Sequence, residues 1–232
     1  MGFKQDIYQE LGISISSEQE SLFKLYFQEL IAYNEHTNLT RITEEDEVYF
    51  KHFFDSLTIL KVIDLSKVNS ICDMGAGAGF PSIPLKIVYP HLEVTIIDSL
   101  QKRIKFLNLL CDKLKLSKVT LIHDRIENFA LKQQDEFDIV TARALGNMQL
   151  ILELGIPMTK VNGHFIAYKS NQYHDELASS KHAMHILKTS LEEVSEFDLP
   201  LDYGKRALLK FKKNAKVSGY PRTNAMMIKK PL

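Results

Sequence analysis

The chain has 232 residues, 45% of them hydrophobic and 25% charged, which is ordinary for a globular protein that can bury a full core. The 29 Lys and Arg residues balance 29 Asp and Glu residues, so net charge alone predicts no nucleic-acid partner. The apolar runs are shorter than the roughly 18 residues of a membrane span, and the start MGFKQDIYQE lacks a secretory signal. The two cysteines give neither a disulfide framework nor a zinc spacing. We therefore expect a cytoplasmic protein.

The first 63 residues carry helical patterns only. One helix is predicted after a cap at Ser16-Ser17, and a second is predicted over 45–63, with the polar loop NEHTNLTRIT between them. In the second helix, His52 and Asp55 are three residues apart and share a face. They either line a ligand pocket or form a buried pair that ties the helices to the rest of the fold.

From Ser70 onward, short apolar strands alternate with amphipathic helices. This alternation predicts parallel strands joined by right-handed crossover helices. The last two strands follow each other through LPLDYGKR, so we expect them to be antiparallel. The predicted fold is an α/β, Rossmann-like, seven-stranded sheet with N-terminal helices. Strands are predicted at 70–74, 92–97, 118–123, 137–141, 162–168, 190–198 and 206–213, and helices at 81–88, 100–116, 147–159 and 172–188.

The stretch SICDMGAGAGFPSIP at 70–84 is the most informative in the chain. A strand ends at Asp73, and three glycines follow before a helix begins, so a ligand can approach backbone that no Cβ shields. Asp98 ends the next strand, where a carboxylate can accept hydrogen bonds from ribose hydroxyls. Together these residues predict a site for a nucleoside cofactor.

The spacing of the glycines separates two classes of cofactor. A dinucleotide site has the pattern G-x-G-x-x-G with a pyrophosphate at the helix N-terminus, whereas here the third glycine comes one residue early. The Asp73 carboxylate would repel a pyrophosphate but suits the cationic amino-acid end of S-adenosylmethionine. We therefore predict S-adenosylmethionine, with Asp73, Gly75 and Gly77 at its methionine end and Asp98 at its ribose.

The ends of the third and fourth strands bear on the reaction. HDRIEN, at 123–128, follows the third strand and either brackets the adenine or caps a helix. The fourth strand ends in TARA instead of the Asn/Asp-Pro-Pro-Tyr pattern of exocyclic-amine methylation, and neither cysteine lies where carbon methylation needs one. The acceptor is therefore expected to be an atom that is already nucleophilic. Guanine N7 has a lone pair and no proton, so no general base is expected.

Positive charge is concentrated in two parts of the chain. Between Lys205 and Leu232 there are nine Lys and Arg residues and no acid, and the helix after Asp98 is also rich in lysine. This predicts a basic face for RNA phosphates, the alternative being an unspecific solvated tail. No metal site is predicted, because His182 and His185 have no carboxylate or cysteine pattern nearby. The predicted RNA-binding residues are Lys102, Arg103, Lys210, Lys212, Lys213 and Arg222.

These blocks together resemble one family, the bacterial guanine-N7 methyltransferases of small-subunit rRNA, also known as glucose-inhibited division protein B. The resemblance covers nearly the whole chain and implies a class I methyltransferase fold. It implies transfer of a methyl group from S-adenosylmethionine to N7 of a guanine in the 530 loop of 16S rRNA, at nucleotide 527. The matching blocks are NLTRIT at 38–43, HFFDSL at 52–57, DMGAGAGFPSIPLKIVYP at 73–90, DSLQKRIKFL at 98–107, DRIENF at 124–129, ARAL at 142–145, GHFIAYKS at 163–170, and the terminal YPR and KKPL.

By this resemblance, cofactor contacts fall on Gly75, Phe80, Ile126, Glu127 and Arg143. Arg143 is expected to position the reactants, because a guanidinium stays protonated and cannot act as a base. The chain departs from the family pattern where it has Ser82 instead of glycine, where it has Ile126 instead of alanine, and in the tail YPRTNAMMIKKPL.

Three segments are expected: a helical extension over 1–63, a methyltransferase domain over 64–214, and a basic tail over 215–232. The expected partner is 16S rRNA or the small ribosomal subunit, and the expected state is a monomer. Two alternatives stay open, a non-catalytic RNA-binding protein on a methyltransferase fold and a small-molecule methyltransferase. The intact glycines, Asp98 and Arg143 argue against the first, and the basic tail argues against the second.

Overall fold

One seven-stranded sheet organises the computed structural model, which describes residues 2–232. The strand order is β3-β2-β1-β4-β5-β7-β6. Strands β1 to β5 are parallel to one another, and β7 is antiparallel to its two neighbours, β5 and β6. The predicted topology, including the antiparallel pair at the end, is confirmed. The strands are β1 Ser70–Met74, β2 Glu93–Asp98, β3 Val119–His123, β4 Phe137–Arg143, β5 Thr159–Ser170, β6 Thr189–Asp198 and β7 Lys205–Lys213.

Helices cover both faces of this sheet. Residues alternate between the faces along each strand, so Ile71 faces one core and Cys72 faces the other. The N-terminal helices pack with α5 and α6 on the Ile71 side, whereas α7, α8 and α10 pack on the Cys72 side. The α-helices are α1 Phe3–Leu11, α2 Ser17–Thr37, α3 Glu45–Val48, α4 Asp55–Leu57, α5 Ser82–Val88, α6 Gln101–Lys113, α7 Ile126–Lys132, α8 Met148–Gly155, α9 His174–Ser179, α10 Lys181–Ile186 and α11 Asn224–Lys229.

The segment predicted as one helix over 45–63 is interrupted. Between α3 and α4 the chain forms a π-helical turn, Tyr49–Phe54, and after α4 it tightens into a 3₁₀ turn, Thr58–Lys61. Insertions of this kind are frequent at functional sites, and this one carries His52. Hydrophobic periodicity cannot reveal such a change, because the apolar side chains of the segment still face the core.

The C-terminal tail is attached to α8 through a buried ion pair. Arg222 donates from Nε and Nη2 to the Glu153 carboxylate at 2.7 and 2.6 Å, and its backbone N–H donates to the same carboxylate at 3.0 Å. Gln149 of α8 also donates to the Leu232 carbonyl at 2.6 Å. The tail is therefore an integrated part of the fold. Among residues 2–232, no helix is long and apolar enough to cross a bilayer.

Candidate functional site

A cleft of about 210 Å³ opens where β1 and β4 end. The carboxyl ends of parallel strands are the usual ligand edge of a doubly wound sheet. The cleft walls combine the glycine-rich turn after β1 with the end of β4 and with side chains from the N-terminal region. Its lining residues are Leu39, Thr40, His52, Gly75, Ala76, Gly77, Ala78, Phe80, Arg103, Arg143, Ala144 and Leu145.

The three glycines of the turn have different roles. A Cβ at Gly77 would meet no heavy atom within 4 Å, so this position faces open space in the cleft. A Cβ at Gly75 would lie 2.7 Å from Leu145 Cδ1, and one at Gly79 would lie 2.7 Å from the Tyr26 hydroxyl. The sequence argument that all three leave room for a ligand therefore needs correction at Gly79, which makes room for core packing.

Asp73 offers an unused acceptor beneath the turn. It is fully buried; Oδ2 accepts a hydrogen bond from the Ser82 backbone N–H at 3.1 Å, and Oδ1 has no hydrogen-bond partner among residues 2–232. Burial raises the pKa of Asp73 from 3.8 to about 7, although the Ser82 hydrogen bonds and the Arg143 charge act in the opposite direction. An unpaired buried carboxylate oxygen is chemically suited to the amino group of the predicted cofactor. Neither Asp73 nor Asp98 is among the residues that line the cleft, so their contacts with the cofactor stay predictions.

Asp98 lies at the end of β2 with most of its acceptor capacity in use. Its Oδ2 accepts from the Gly77 N–H at 3.2 Å and from Arg103 Nη1 at 3.0 Å, and its Oδ1 accepts from the Leu100 N–H at 2.9 Å. A carboxylate has about four acceptor sites, so one on Oδ1 is left for a ribose hydroxyl. The Arg103 side chain is therefore engaged with the cofactor edge of the sheet rather than extended toward RNA.

Ile126 and Glu127 start α7 and lie outside the set of residues that line this cleft. The Glu127 carboxylate accepts from Arg125 Nε at 2.6 Å, which fixes it against its own chain segment. Their contact with the adenine stays a prediction.

Arg143 is held in place by the N-terminal region. Its Nη1 donates to Asp55 Oδ2 at 2.9 Å and to the Lys51 carbonyl at 3.2 Å, and its Nη2 lies 3.2 Å from His52 Nδ1. The guanidinium also lies 5.1 Å from the centre of the Phe80 ring. Arg143 thus enters the site with its orientation already fixed by protein contacts.

His52 is neutral and contacts both Phe80 and Arg143. Its ring stacks on Phe80 with centroids 4.4 Å apart, and its Nε2 lies 3.1 Å from Thr40 Oγ1. Burial and the Arg143 charge lower the pKa of His52 from 6.5 to about 3. The Nδ1 atom lies 3.2 Å from Arg143 Nη2 and 3.1 Å from the Lys51 carbonyl, so the tautomer of the neutral ring decides whether Nδ1 accepts from Arg143 or donates to the carbonyl.

His52 and Asp55 both line a second cleft next to the first, and both contact Arg143 at the end of β4, which ties the helices to the sheet. The two side chains are not hydrogen-bonded to each other, so the interpretation as a buried hydrogen-bonded pair is corrected.

A second cleft, of about 360 Å³, adjoins the first and shares His52, Arg143 and Ala144 with it. Arg206 at the start of β7 faces this cleft because β7 runs antiparallel to β5, which places Arg206 beside Ser170. Sequence reasoning missed Lys51, Lys169 and Arg206 as lining residues. The predicted topology could have revealed Arg206. Because the last strand is antiparallel to β5, its first residues lie at the edge of the sheet where the parallel strands end. Its lining residues are Ile42, Lys51, His52, Asp55, Arg143, Ala144, Tyr168, Lys169, Ser170 and Arg206.

The predicted RNA-binding residues are dispersed, and one of them is inaccessible. Lys213 is fully buried, and its ammonium donates to Asp135 Oδ1 at 2.6 Å and to two backbone carbonyls at 2.8 and 3.0 Å. No phosphate can reach it, so its inclusion among the RNA-binding residues is corrected.

The other five cations differ in how far they are already engaged. Arg222 is bound to Glu153, and Lys210 is bound to Glu193 and to the Val62 carbonyl at 2.7 and 2.8 Å. Lys102 is exposed on α6, where its ammonium donates to the Thr37 carbonyl at 2.7 Å and forms no ion pair with a carboxylate of residues 2–232. Lys212 is half-buried on β7.

The sheet order, the glycine turn and the two strand-end aspartates define a class I S-adenosylmethionine-dependent methyltransferase. Solved structures share the fold. The crystal structure of M. jannaschii TYW2 in complex with AdoMet aligns with a TM-score of 0.52 at 18% identity, over 63% of this chain and 71% of that chain. A 16S rRNA (adenine(1408)-N(1))-methyltransferase from Catenulisporales acidiphilia aligns with a TM-score of 0.55 at 11% identity, over 63% of this chain and 86% of that chain.

Sequence comparison identifies the family. The family model GidB, rRNA small subunit methyltransferase G, matches residues 19–206. The chain is 53% identical over 222 residues to "Ribosomal RNA small subunit methyltransferase G" of Acholeplasma laidlawii, covering 96% of both chains. It is 49% identical over 231 residues to the protein of the same name from Bacillus cereus, covering 98% of this chain and 97% of that one. The chain therefore belongs to the rRNA small subunit methyltransferase G family, and its cofactor is S-adenosylmethionine.

Proposed function

We propose that the protein transfers the methyl group of S-adenosylmethionine to N7 of a guanine in 16S rRNA, at nucleotide 527 of the 530 loop as the family resemblance implies. The choice of N7 rests on one observation: none of Arg143, His52 and Asp55, which lie where the two clefts meet, is suited to act as a general base. Arg143 is permanently protonated, and His52 is neutral with a pKa of about 3, so it is a weak base with both ring nitrogens engaged. Asp55 is paired with two guanidinium groups. Such a site suits an acceptor that has no proton to lose.

The residues of the chain bind and orient the reactants. S-adenosylmethionine supplies a methyl group on a cationic sulfonium. Asp73, Gly77 and Asp98 would hold its amino-acid end and ribose, and Arg143 would fix either its carboxylate or the acceptor. Catalysis would then rest on alignment of the attacking nitrogen with the methyl carbon and sulfur. Attack by N7 needs no general base, because its lone pair is available at neutral pH.

RNA would approach the second cleft and the exposed lysines of α6. Lys102 is exposed near the start of α6, at the edge of the sheet that carries the clefts, so it stays in the proposed RNA face. Lys212 pairs with His164 near the other end of β5, at the opposite edge of the sheet, so it is removed from that face. Arg103 and Lys210 contribute less, because each already has a carboxylate partner. The proposed place of action is the cytoplasm, with the protein as a monomer.

Transfer of a labelled methyl group tests this function directly. Purified protein is incubated with small subunits and with naked 16S rRNA, and the modified base is mapped by N7-specific chain cleavage. With S-adenosylmethionine saturating at every pH, the single-turnover rate should stay nearly flat from about pH 6.5 to 9, because N7 has no proton to lose. A rate that rises tenfold per pH unit, or a label at another atom, would refute the N7 assignment.

A further inference from the structure

Asp55 carries a buried acceptor that the fold leaves unused. The residue is 3% exposed, and its Oδ2 is hydrogen-bonded to Arg143 Nη1. Its Oδ1 has Arg206 Nε at 3.3 Å as an ion-pair neighbour, without the alignment of a hydrogen bond, and receives no hydrogen bond from residues 2–232. A buried carboxylate oxygen without a donor costs free energy in the unliganded protein, so it is a strong acceptor for a ligand.

This oxygen belongs to the second cleft, next to the cofactor cleft. Asp55, Arg143 and Arg206 all line that cleft, whose volume of about 360 Å³ is within the range of small-ligand pockets. Tyr168 and Ile42 add an apolar surface to the same walls. Because Arg143 borders both clefts, a flat base in the second cleft would lie beside the bound cofactor.

The ligand that satisfies this arrangement must bring an N–H group. A phosphate could pair with the Lys and Arg side chains of the cleft, but it has no hydrogen to donate and would leave Asp55 Oδ1 without a donor. Guanine presents N1–H and an exocyclic N2 amino group on one edge, with O6 beside them, and N7 lies on the other side of the base. Adenine presents the N1 lone pair at the matching position, which a carboxylate repels. Single-stranded bases are commonly read along this edge.

We propose that Asp55 selects guanine as the acceptor base: Oδ1 accepts a hydrogen bond from the N2 amino group, and Arg206 donates to O6. This inference rests on the proposed function, in which the acceptor is a guanine. Reading the edge opposite N7 leaves N7 free to face the methyl group. Asp55 then has two roles, since Oδ2 positions Arg143 while Oδ1 reads the base.

The test compares acceptor bases in the same RNA. Small-subunit rRNA is prepared with guanine, inosine or adenine at the position that the wild-type enzyme methylates, and kcat/KM is measured for each. Inosine lacks only the N2 amino group, whereas adenine lacks the N1 proton as well. Wild-type protein should prefer guanine over inosine by roughly tenfold and over adenine by more, as expected for hydrogen bonds to a charged acceptor.

Asp55→Asn should reduce the guanine-to-inosine ratio to within about twofold, whatever its effect on the absolute rate. Glu47→Gln is the matched control, because it removes a carboxylate that pairs with Lys51 on the rim of the same cleft, and it should keep the wild-type ratio. If Asp55 only held Arg143 in place, its loss would slow methylation of guanine and of inosine equally. The guanine-to-inosine ratio of kcat/KM would then stay unchanged.

Three results would overturn the inference. The first is a guanine-to-inosine ratio near one in the wild-type protein, a measurement that depends on no variant. The others are an unchanged ratio in Asp55→Asn, or a ratio reduced as strongly in the Glu47→Gln control. Each can occur while N7 of guanine is still the methylated atom, so failure of this inference is distinguishable from failure of the proposed function. Methylation mapped to another atom would instead refute the proposed function.

Discussion

Replacing Asp73 by asparagine should make the protein more stable at high pH and weaken its binding of the cofactor. Burial raises the pKa of Asp73 from 3.8 to about 7 in the folded protein. Between these values the folded state binds a proton that the unfolded state has lost, so stability falls as pH rises and levels off above about pH 7. The carboxyl group therefore contributes most to stability below pH 3.8 and least above pH 7.

The size of the effect follows from the shift. Roughly three pKa units correspond to roughly 4 kcal/mol, of which about 1 kcal/mol is already lost at pH 4.5. The stability difference between Asp73→Asn and the wild type should therefore increase by roughly 3 kcal/mol between about pH 4.5 and pH 8. Urea unfolding at the two pH values measures it, with the exposed Asp46→Asn as a control for the same chemical change. An unchanged difference would show that Asp73 titrates normally.

The same substitution should have the opposite effect on ligand binding. If the ionised carboxylate pairs with the amino group of S-adenosylmethionine, wild-type affinity should rise about tenfold from pH 6 to pH 8 as Asp73 loses its proton. Asp73→Asn should bind more weakly and show no such rise, as measured by calorimetry. A variant that kept the wild-type affinity at about pH 8 would remove Asp73 from the cofactor site.

Arg222→Gln should lower the free energy of unfolding in urea by about 3 kcal/mol, because Glu153 would stay buried without its partner; a fully stable variant with impaired RNA binding would contradict this. Gly77→Val should abolish S-adenosylmethionine binding in calorimetry and lower Tm by a few degrees, since the added side chain enters open cleft space but valine is strained at the φ of +62° that Gly77 adopts; a folded variant with unchanged affinity would refute the placement. Lys102→Gln should reduce the salt dependence of rRNA binding by roughly 0.7 in slope, whereas an unchanged slope would place the phosphates elsewhere.

The strands were predictable because each is a short apolar run whose limits are local. Asp73 and Asp98 were also predictable, since the end of a parallel strand fixes the edge at which a side chain lies. Charge counting was wrong for the buried Lys213, and it did not reveal that Arg222 is paired with a carboxylate. Their carboxylate partners, on Asp135 and Glu153, are distant in sequence, and a run of cations without an acid contains no information about them.

The placement of Arg143 shows why the N-terminal region is part of the site. The sheet supplies Arg143 at the end of β4, but the groups that hold its guanidinium come from 51–55, before the first strand. The π-helical turn there brings His52 and the Lys51 carbonyl to the same guanidinium that Asp55 binds. An arginine fixed in this way needs little reorganisation when the reactants bind, and an unsupported one would lose rotamer freedom at that moment. A sheet domain without these helices would therefore lose the orientation of the guanidinium that borders both clefts, and with it the hydrogen bond from the Tyr26 hydroxyl to the Ala78 carbonyl of the glycine turn.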